Sequence, residues 1–140
     1  MSHIVTTEWK GNLQFESDNP SGKTILIDTS PEHGGNNEGL RPKAMMLAAL
    51  AGCSGLDVVS VLEKMKSTIS DFKMITVGEL TEEHPMYYHT VSVEYHFYGN
   101  NLEPAKIEKA VNLSVEKYCG VMEMFRKFAT VKTSIHYHDN

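Results

Sequence analysis

Two cysteines are the side chains of this 140-residue chain that could do covalent redox chemistry. Cys53 lies within an apolar stretch and Cys119 lies far along the chain, so the two form no Cys-x-x-Cys motif. A cysteine thiolate is a nucleophile, and two thiols are too few for a disulfide scaffold. Free cysteine is also among the most buried residue types. Spacing alone therefore leaves open whether these thiols are reactive or are inert core residues.

The histidines are the second group with chemical potential. His136 and His138 lie two residues apart, and His96 lies on the polar face of another predicted strand. Such a pair can bind Zn²⁺ or Cu²⁺ where a third ligand converges. The strand alternation places all three opposite apolar residues, and no cysteine or carboxylate has the spacing of a closed site. We interpret them as solvent-facing and predict no metal site. The sequence contains no phosphate-binding or GxSxG motif, and we predict no cofactor.

The first half of the chain predicts three strands followed by a long helix. The alternating, turn-bounded segments that predict strands are residues 4–9, 13–16 and 24–28. Pro42 then begins a helix over residues 43–66. Residues 44–61 are apolar nearly all round, so we expect this helix to be buried on most sides. Glycines within a helix are costly, and Gly52 and Gly55 therefore predict the close approach of another backbone.

The second half predicts a hairpin, a second helix and a last strand. Residues 72–80 and 90–98 form the two hairpin strands. We expect Asn101 to cap the second helix, which ends near Cys119, before a short helix at 121–128 and a strand at 129–137. The order βββ-α-ββ-α-β predicts an α+β fold with two main helices on antiparallel sheets. The length predicts a single domain over residues 1–140.

Two segments resemble the OsmC/Ohr family of osmotically inducible and organic hydroperoxide resistance proteins. Residues 41–59 read RPKAMMLAALAGCSGLDVV, and they resemble the central helix of the family, with a proline at its start and the first cysteine inside it. Residues 113–121 read LSVEKYCGV, and they resemble the second helix with its partner cysteine. The predicted order of elements agrees with the family over nearly the whole chain. The sequence resembles a less characterised, OsmC-like branch.

The resemblance implies a two-cysteine peroxidase mechanism. The thiolate of Cys53 would attack a hydroperoxide and become a sulfenic acid, which Cys119 would convert to a disulfide. A dithiol or protein thiol reductant would restore both thiols. The resemblance also implies an intertwined homodimer in which the central helix is buried and each site is built from both chains.

The family peroxidases supply a cation near the reactive thiol, because a buried cysteine otherwise keeps its proton. They use an arginine in the loop after the third strand and a glutamate near the start of the central helix. This chain lacks that glutamate. It also lacks the loop arginine, since its only arginines are Arg41 and Arg126. Arg41, with Glu38 as its carboxylate, is one substitute, and solvated loop residues are the alternative interpretation. Glu116 is better explained as an exposed helix charge.

Composition narrows the function further. A formal net charge of −5 argues against a nucleic-acid partner. The N-terminus does not resemble a signal peptide, and the longest apolar run, 44–51, is short for a bilayer, so we predict a cytoplasmic protein without a membrane partner. Our first hypothesis is a hydroperoxide-reducing enzyme of oxidative-stress defence. The alternatives are a redox-sensing or small-molecule-binding protein without efficient peroxidase turnover, and a structural dimer with inert thiols.

Overall fold

The computed structural model describes all residues from Met1 to Asn140 and groups them into two compact units, Met1–Met46 and Leu47–Asn140. The predicted βββ-α-ββ-α-β order and the α+β class are confirmed. The single domain over residues 1–140 stays a prediction, because the chain divides into these two units.

The first unit is a three-stranded antiparallel meander followed by a loop. Strands β1 (Thr7–Gly11), β2 (Gln14–Ser17) and β3 (Ile25–Ile27) lie in that order in the sheet. The loop after β3 is organised around Asp28, which is only 2% exposed. Its carboxylate accepts hydrogen bonds from three backbone amides, those of Thr29, Asn36 and Glu38. Burial alone would raise the pKa of Asp28, but the hydrogen bonds outweigh it and the pKa is lowered.

Helix α1 (Pro42–Lys64) begins at the predicted proline, but the chain buries only one side of it. The buried side chains recur at every fourth position, and they are Leu50, Ser54, Val58 and Leu62. The expectation that the helix is buried on most sides is not met within one chain, since Leu56 is 76% and Val59 is 47% exposed. A helix that packs on a single sheet buries one stripe, and nothing within the chain covers the opposite face.

Helix α1 is also the one helix that is long and apolar enough to cross a membrane, with a mean hydropathy of 1.9 over its best window. The sequence-based expectation considered only the short run 44–51, whereas the complete helix passes this test of length and composition. The core helices of water-soluble proteins pass it too, so the observation is weak support for a membrane span.

Within one chain, no other backbone lies close to the two glycines beside Cys53, and a contact with the backbone of a second copy stays a prediction. A Cβ on Gly55 would lie 3.1 Å from the sulfur of Met74, a flexible side chain of the neighbouring strand. A Cβ on Gly52 would meet nothing within 4 Å. Gly55 thus makes room for a side chain, and Gly52 faces an open surface.

The second unit contains a sheet of three strands, β4 (Asp71–Leu80), β5 (Tyr88–Tyr98) and β6 (Thr130–His138), in that order. β4 and β5 form the predicted antiparallel hairpin, whereas β6 pairs with β5 in parallel, which corrects the all-antiparallel expectation. The physical reason is the helical crossover between β5 and β6, which returns the chain to the end of the sheet where β5 began. The inward side chains of β5 are fully buried, and they are Val91, Val93, Tyr95 and Phe97.

The crossover consists of α2 (Pro104–Leu113), a π-helical turn (Ser114–Tyr118) and the short helix α3 (Gly120–Arg126). Asn101 is not the cap of α2, because the residue before the helix is Glu103, whose side chain makes no capping hydrogen bond. Pro104 fixes the start instead, since proline is pre-organised for the first helical position. The turn and α3 meet at Cys119.

Candidate thiol redox site

Cys53 lies on the half-buried flank of α1, next to the buried stripe of that helix. Its side chain packs against the hydrophobic core of the second unit, and it is a free thiol. It directly precedes Ser54, which is fully buried. A rigid, well-packed helix therefore fixes the position of this thiol.

Cys119 occupies the junction between the π-helical turn and α3 and is only 4% exposed. Its backbone N–H donates to the carbonyl of Ser114 at 2.9 Å, and its extended backbone conformation ends the turn. Its sulfur caps α3 by accepting a hydrogen bond from the Met122 N–H at 3.3 Å. Turns of the π type are frequent at functional sites, where they redirect a side chain.

The fold brings the two thiols close enough to interact. Burial raises the pKa of the Cys119 thiol to about 11, although the hydrogen bond from Met122 acts in the opposite direction. The hydrogen-bonding and charge interactions of the Cys53 thiol raise the pKa of Cys119 further, as does the charge of Asp57. Cys119 therefore keeps its proton at neutral pH, beside the sulfur of Cys53.

A buried chain of hydroxyl groups ties together the elements that carry the thiols. The Oγ of Ser54 lies 2.7 Å from the Tyr95 hydroxyl and 2.8 Å from the Ser114 Oγ. Ser114 in turn donates to the Asp57 Oδ2 at 3.0 Å. A carboxylate oxygen only accepts, so the donors can run in one direction, from Tyr95 through Ser54 and Ser114 to Asp57. The chain locks α1 to β5 and to the π-helical turn.

Arg126 is the cation of the second unit that acts on this group. Its guanidinium donates to the carbonyl of Val115, within the turn that leads to Cys119, and forms an ion pair with Glu123 at 3.6 Å. The buried Tyr95 has a raised pKa, principally through desolvation, and the charge of Arg126 acts to lower it. A side chain that is one-third exposed thus adds positive potential at Tyr95 and contacts the turn that leads to Cys119.

Arg41 and Glu38 lie in the first unit and do not form the predicted pair. The guanidinium of Arg41 donates to the Gly39 carbonyl at 3.2 Å and to the Asn37 side-chain oxygen at 2.7 Å. Glu38 instead accepts from the Gln14 amide at 3.1 Å. Their role near a thiol stays a prediction. Glu116 is exposed, in agreement with its interpretation as a surface charge.

Sequence reasoning missed most of the groups around the thiols. Asp57 finds its hydrogen-bond donor, Ser114, in the same chain. Ser54 and Asp57 are polar residues in an otherwise apolar helix, and this was the available signal. Nothing in the sequence alone pairs Ser54 with Tyr95 or places Arg126 beside the turn.

The chain has an α+β fold with one free cysteine in its central helix and a second in its helical crossover, and comparisons with known proteins show the family to which this fold belongs. The family model described as OsmC-like protein matches residues 34–134, so the chain belongs to the OsmC-like family. Protein YhfA of Escherichia coli K12 is 32% identical over 127 residues, which cover 91% of this chain and 92% of YhfA.

Solved structures show the same fold. A hypothetical protein from Aquifex aeolicus is 29% identical, with a TM-score of 0.86, and the match covers 100% of this chain and 98% of that one. An organic hydroperoxide resistance protein OsmC from Legionella pneumophila is 19% identical with a TM-score of 0.70, and the match covers 97% of each chain. The latter likeness concerns the fold alone. The wider OsmC/Ohr family includes peroxidases, and its members are commonly dimers.

Proposed function

We propose that this protein is a thiol-dependent hydroperoxide reductase of oxidative-stress defence, in which Cys53 is the peroxidatic thiol and Cys119 the resolving thiol. The observation that supports this most directly is the interaction between the two thiols, which lie in different elements, one within α1 and the other at the start of α3. Cys119 is the thiol whose charged form is disfavoured, since burial and the Cys53 thiol both raise its pKa. The raised pKa argues against Cys119 as the attacking thiol, which supports Cys53 as the nucleophile and Cys119 as the proton-bearing partner.

The reaction balances with a hydroperoxide and a dithiol as the only co-reactants. The sulfur of Cys53 attacks the outer oxygen of ROOH, the O–O bond breaks, and ROH leaves with the thiol proton while Cys53 becomes a sulfenic acid. The Cys119 thiol then condenses with the sulfenic acid to a disulfide and releases water. A dithiol or a protein thiol reductant then reduces the disulfide to two thiols and is itself oxidised to a disulfide.

A homodimer belongs to this proposal. The exposed face of α1 and the adjoining part of β4 form an open, mainly apolar groove of about 580 Å³. Its lining residues include Gly52, Gly55, Leu56, Val59, Phe72 and Met74. Large exposed apolar surfaces mark interfaces in soluble proteins. Because members of the family are commonly dimers, we take a second copy of this chain as the partner. A cytoplasmic location is part of the same proposal, since thiols are kept reduced there.

Peroxide consumption by the reduced protein tests the assignment of the thiols. Purified protein receives hydrogen peroxide or cumene hydroperoxide with a small dithiol, beside Cys53→Ser and Cys119→Ser variants. We expect turnover by the native protein and none by Cys53→Ser. Cys119→Ser should accumulate a sulfenic acid on Cys53 that a dimedone-type probe traps. Equal inactivity of all three proteins would contradict the proposal.

The same assay separates the two arginines. Arg126→Gln should slow the peroxide reaction about tenfold, because a nearby cation shifts the pKa of a titrating group by about one unit or more. Arg41→Gln is the matched control and should react at the native rate. A slow reaction of Arg41→Gln beside a native rate in Arg126→Gln would instead support Arg41 as the activating cation.

The alternative is a redox-sensing or small-molecule-binding protein with negligible turnover. The observation that favours it is the separate bonding of Arg41 and Glu38, which leaves the predicted activating pair unformed. In that case one equivalent of peroxide would still oxidise the thiols, but the dithiol would not sustain catalysis.

A further inference from the structure

A cluster of ligand-type side chains lies on the outer face of the second sheet, opposite the thiol site. Glu94 and His96 project from β5, and His136 and His138 project from β6. The parallel register pairs His96 directly with His136, and it places His138 beside Tyr98, one side-chain step further. The alternation that buries Tyr95 and Phe97 therefore turns these four side chains to the other face.

The ligand atoms of this cluster are already close together. One ligand atom each of Glu94, His96 and His136 lie within 4.8 Å of one another. The His96 Nε2 is 2.8 Å from the Glu94 Oε1, and the imidazoles of His96 and His136 are stacked with centroids 4.5 Å apart. All three side chains are half-buried, so they are held by neighbours yet reachable from solvent.

The surroundings of the cluster resemble the outer shell of a metal site. The second ring nitrogen of His96, Nδ1, lies 2.9 Å from the His138 Nε2, and the His136 Nε2 lies 2.9 Å from the Ser134 hydroxyl. Metal-binding histidines almost always make such a hydrogen bond with the nitrogen that is not the ligand.

We propose that Glu94, His96 and His136 bind a divalent transition-metal ion, of which Zn²⁺ is the best match, with His138 supporting His96. Two imidazoles and one carboxylate form a ligand set that Zn²⁺ accepts, with water completing the tetrahedron. This site is independent of the thiol chemistry, since it lies on the opposite face of the sheet. The ion would join β5 to β6 and replace the hydrogen bond between Glu94 and His96.

Binding requires only small side-chain movements. Metal–nitrogen bonds of about 2.0–2.1 Å place tetrahedral ligand atoms about 3.3 Å apart. The present separations of up to 4.8 Å close by tilting the two stacked rings towards each other. The backbone register already aligns the ring-bearing residues, so no strand needs to move.

The test measures Zn²⁺ binding to untagged protein in which both cysteines are replaced by serine, because thiols also bind zinc. Titration calorimetry with ZnCl₂ gives the stoichiometry and affinity. The variants are His96→Ala, His136→Ala and Glu94→Gln. His89→Ala is the matched control, since His89 lies on the same strand, is exposed and bonds only to the neighbouring Thr90 hydroxyl.

We expect one Zn²⁺ per chain, unchanged in the control and weakened about 10- to 100-fold or more in each cluster variant. Co²⁺ in place of Zn²⁺ should give the absorption bands of a tetrahedral ion in the parent protein and in His89→Ala, but not in the cluster variants. Circular dichroism checks that each variant folds, and Glu94→Gln keeps the inference testable if an alanine variant does not. Absence of binding, or binding equal in the control and the cluster variants, would overturn the proposal.

Discussion

Because Cys119 keeps its proton, the reactivities of the two thiols can be compared without a substrate. The perturbation is alkylation with iodoacetamide, applied to Cys53→Ser and Cys119→Ser so that each variant reports one thiol. Only thiolates react, so the rate follows the charged fraction of each cysteine. The prediction is that Cys119 labels far more slowly than an ordinary thiol at pH 8.

The structure sets the size of the effect. With a pKa of about 11, roughly one Cys119 in a thousand is charged at pH 8, against about one in four for an unperturbed thiol with a pKa of about 8.5. That difference is about 240-fold. A more basic thiolate is also a better nucleophile, with a slope of about 0.4–0.5 per pKa unit, which recovers about tenfold. The remaining slowdown is roughly twentyfold, before the 4% exposure of the side chain adds to it.

Mass spectrometry of time points between pH 7 and pH 11 gives both rates. In Cys53→Ser, the labelling of Cys119 should still be rising near pH 10, because burial, the largest cause of its raised pKa, remains without Cys53. The same variant in guanidinium chloride is the control and should label at the rate of a free thiol. Rapid labelling of Cys119 in folded Cys53→Ser at pH 8, equal to that of Cys53 in Cys119→Ser, would refute the reasoning.

Three further predictions concern stability. Ser114→Ala should lower the free energy of unfolding by about 2–3 kcal/mol in urea titrations, since it removes the donor of Asp57 and one link of the buried hydroxyl chain. Gly78→Ala should cost about 1–3 kcal/mol by the same measurement, because the new Cβ would lie 2.5 Å from the Tyr88 ring. The folded protein holds the Cys119 proton more tightly than the unfolded chain does, which stabilises the fold below about pH 8.5. This stabilisation disappears towards pH 11, so the free energy of unfolding should fall by up to about 3 kcal/mol more in the native protein than in Cys119→Ala over that range.

Controls for these predictions lie elsewhere in the chain. Ser134→Ala on the exposed sheet face and Gly120→Ala, whose Cβ would meet nothing within 4 Å, should each change stability by less than about 0.5 kcal/mol. If Ser114→Ala changed the free energy of unfolding as little as Ser134→Ala does, the hydroxyl chain would not contribute to stability. A Gly78→Ala variant of native stability would mean that the Tyr88 ring moves freely. Equal alkaline losses with and without Cys119 would contradict its burial-raised pKa.

Much of the fold was predictable from local sequence. The strict alternation of β5 lets its core side chains be read from local sequence, since all four apolar residues on its inward face are fully buried. Pro42 predicted the start of α1, because the ring of proline fixes a φ that suits the first helical position, where its missing N–H costs no hydrogen bond. Resemblance to the OsmC/Ohr family identified Cys53 and Cys119, which spacing alone left undecided. The family and the α+β fold are confirmed.

Contacts between distant segments could not be predicted in the same way. Asn101 suited a helix cap by residue type, but the chain begins the helix at Pro104. The parallel pairing of β6 depends on the path of the crossover, which no local pattern encodes. The same pairing brings His136 beside His96, so the histidines that read as separate surface residues form one cluster with Glu94.

The sequence by itself determined the elements, the inward faces of the strands and the identity of the two thiols, because these depend on periodicity and on short motifs within one segment. Only the tertiary structure decided that the Cys53 and Cys119 thiols interact, that Ser54, Tyr95, Ser114 and Asp57 form one chain, and that the charge of Arg126 acts on Tyr95. The physical reason is that hydrogen bonds and charge interactions act over a few ångströms in space, whereas the residues that make them lie tens of positions apart in the chain.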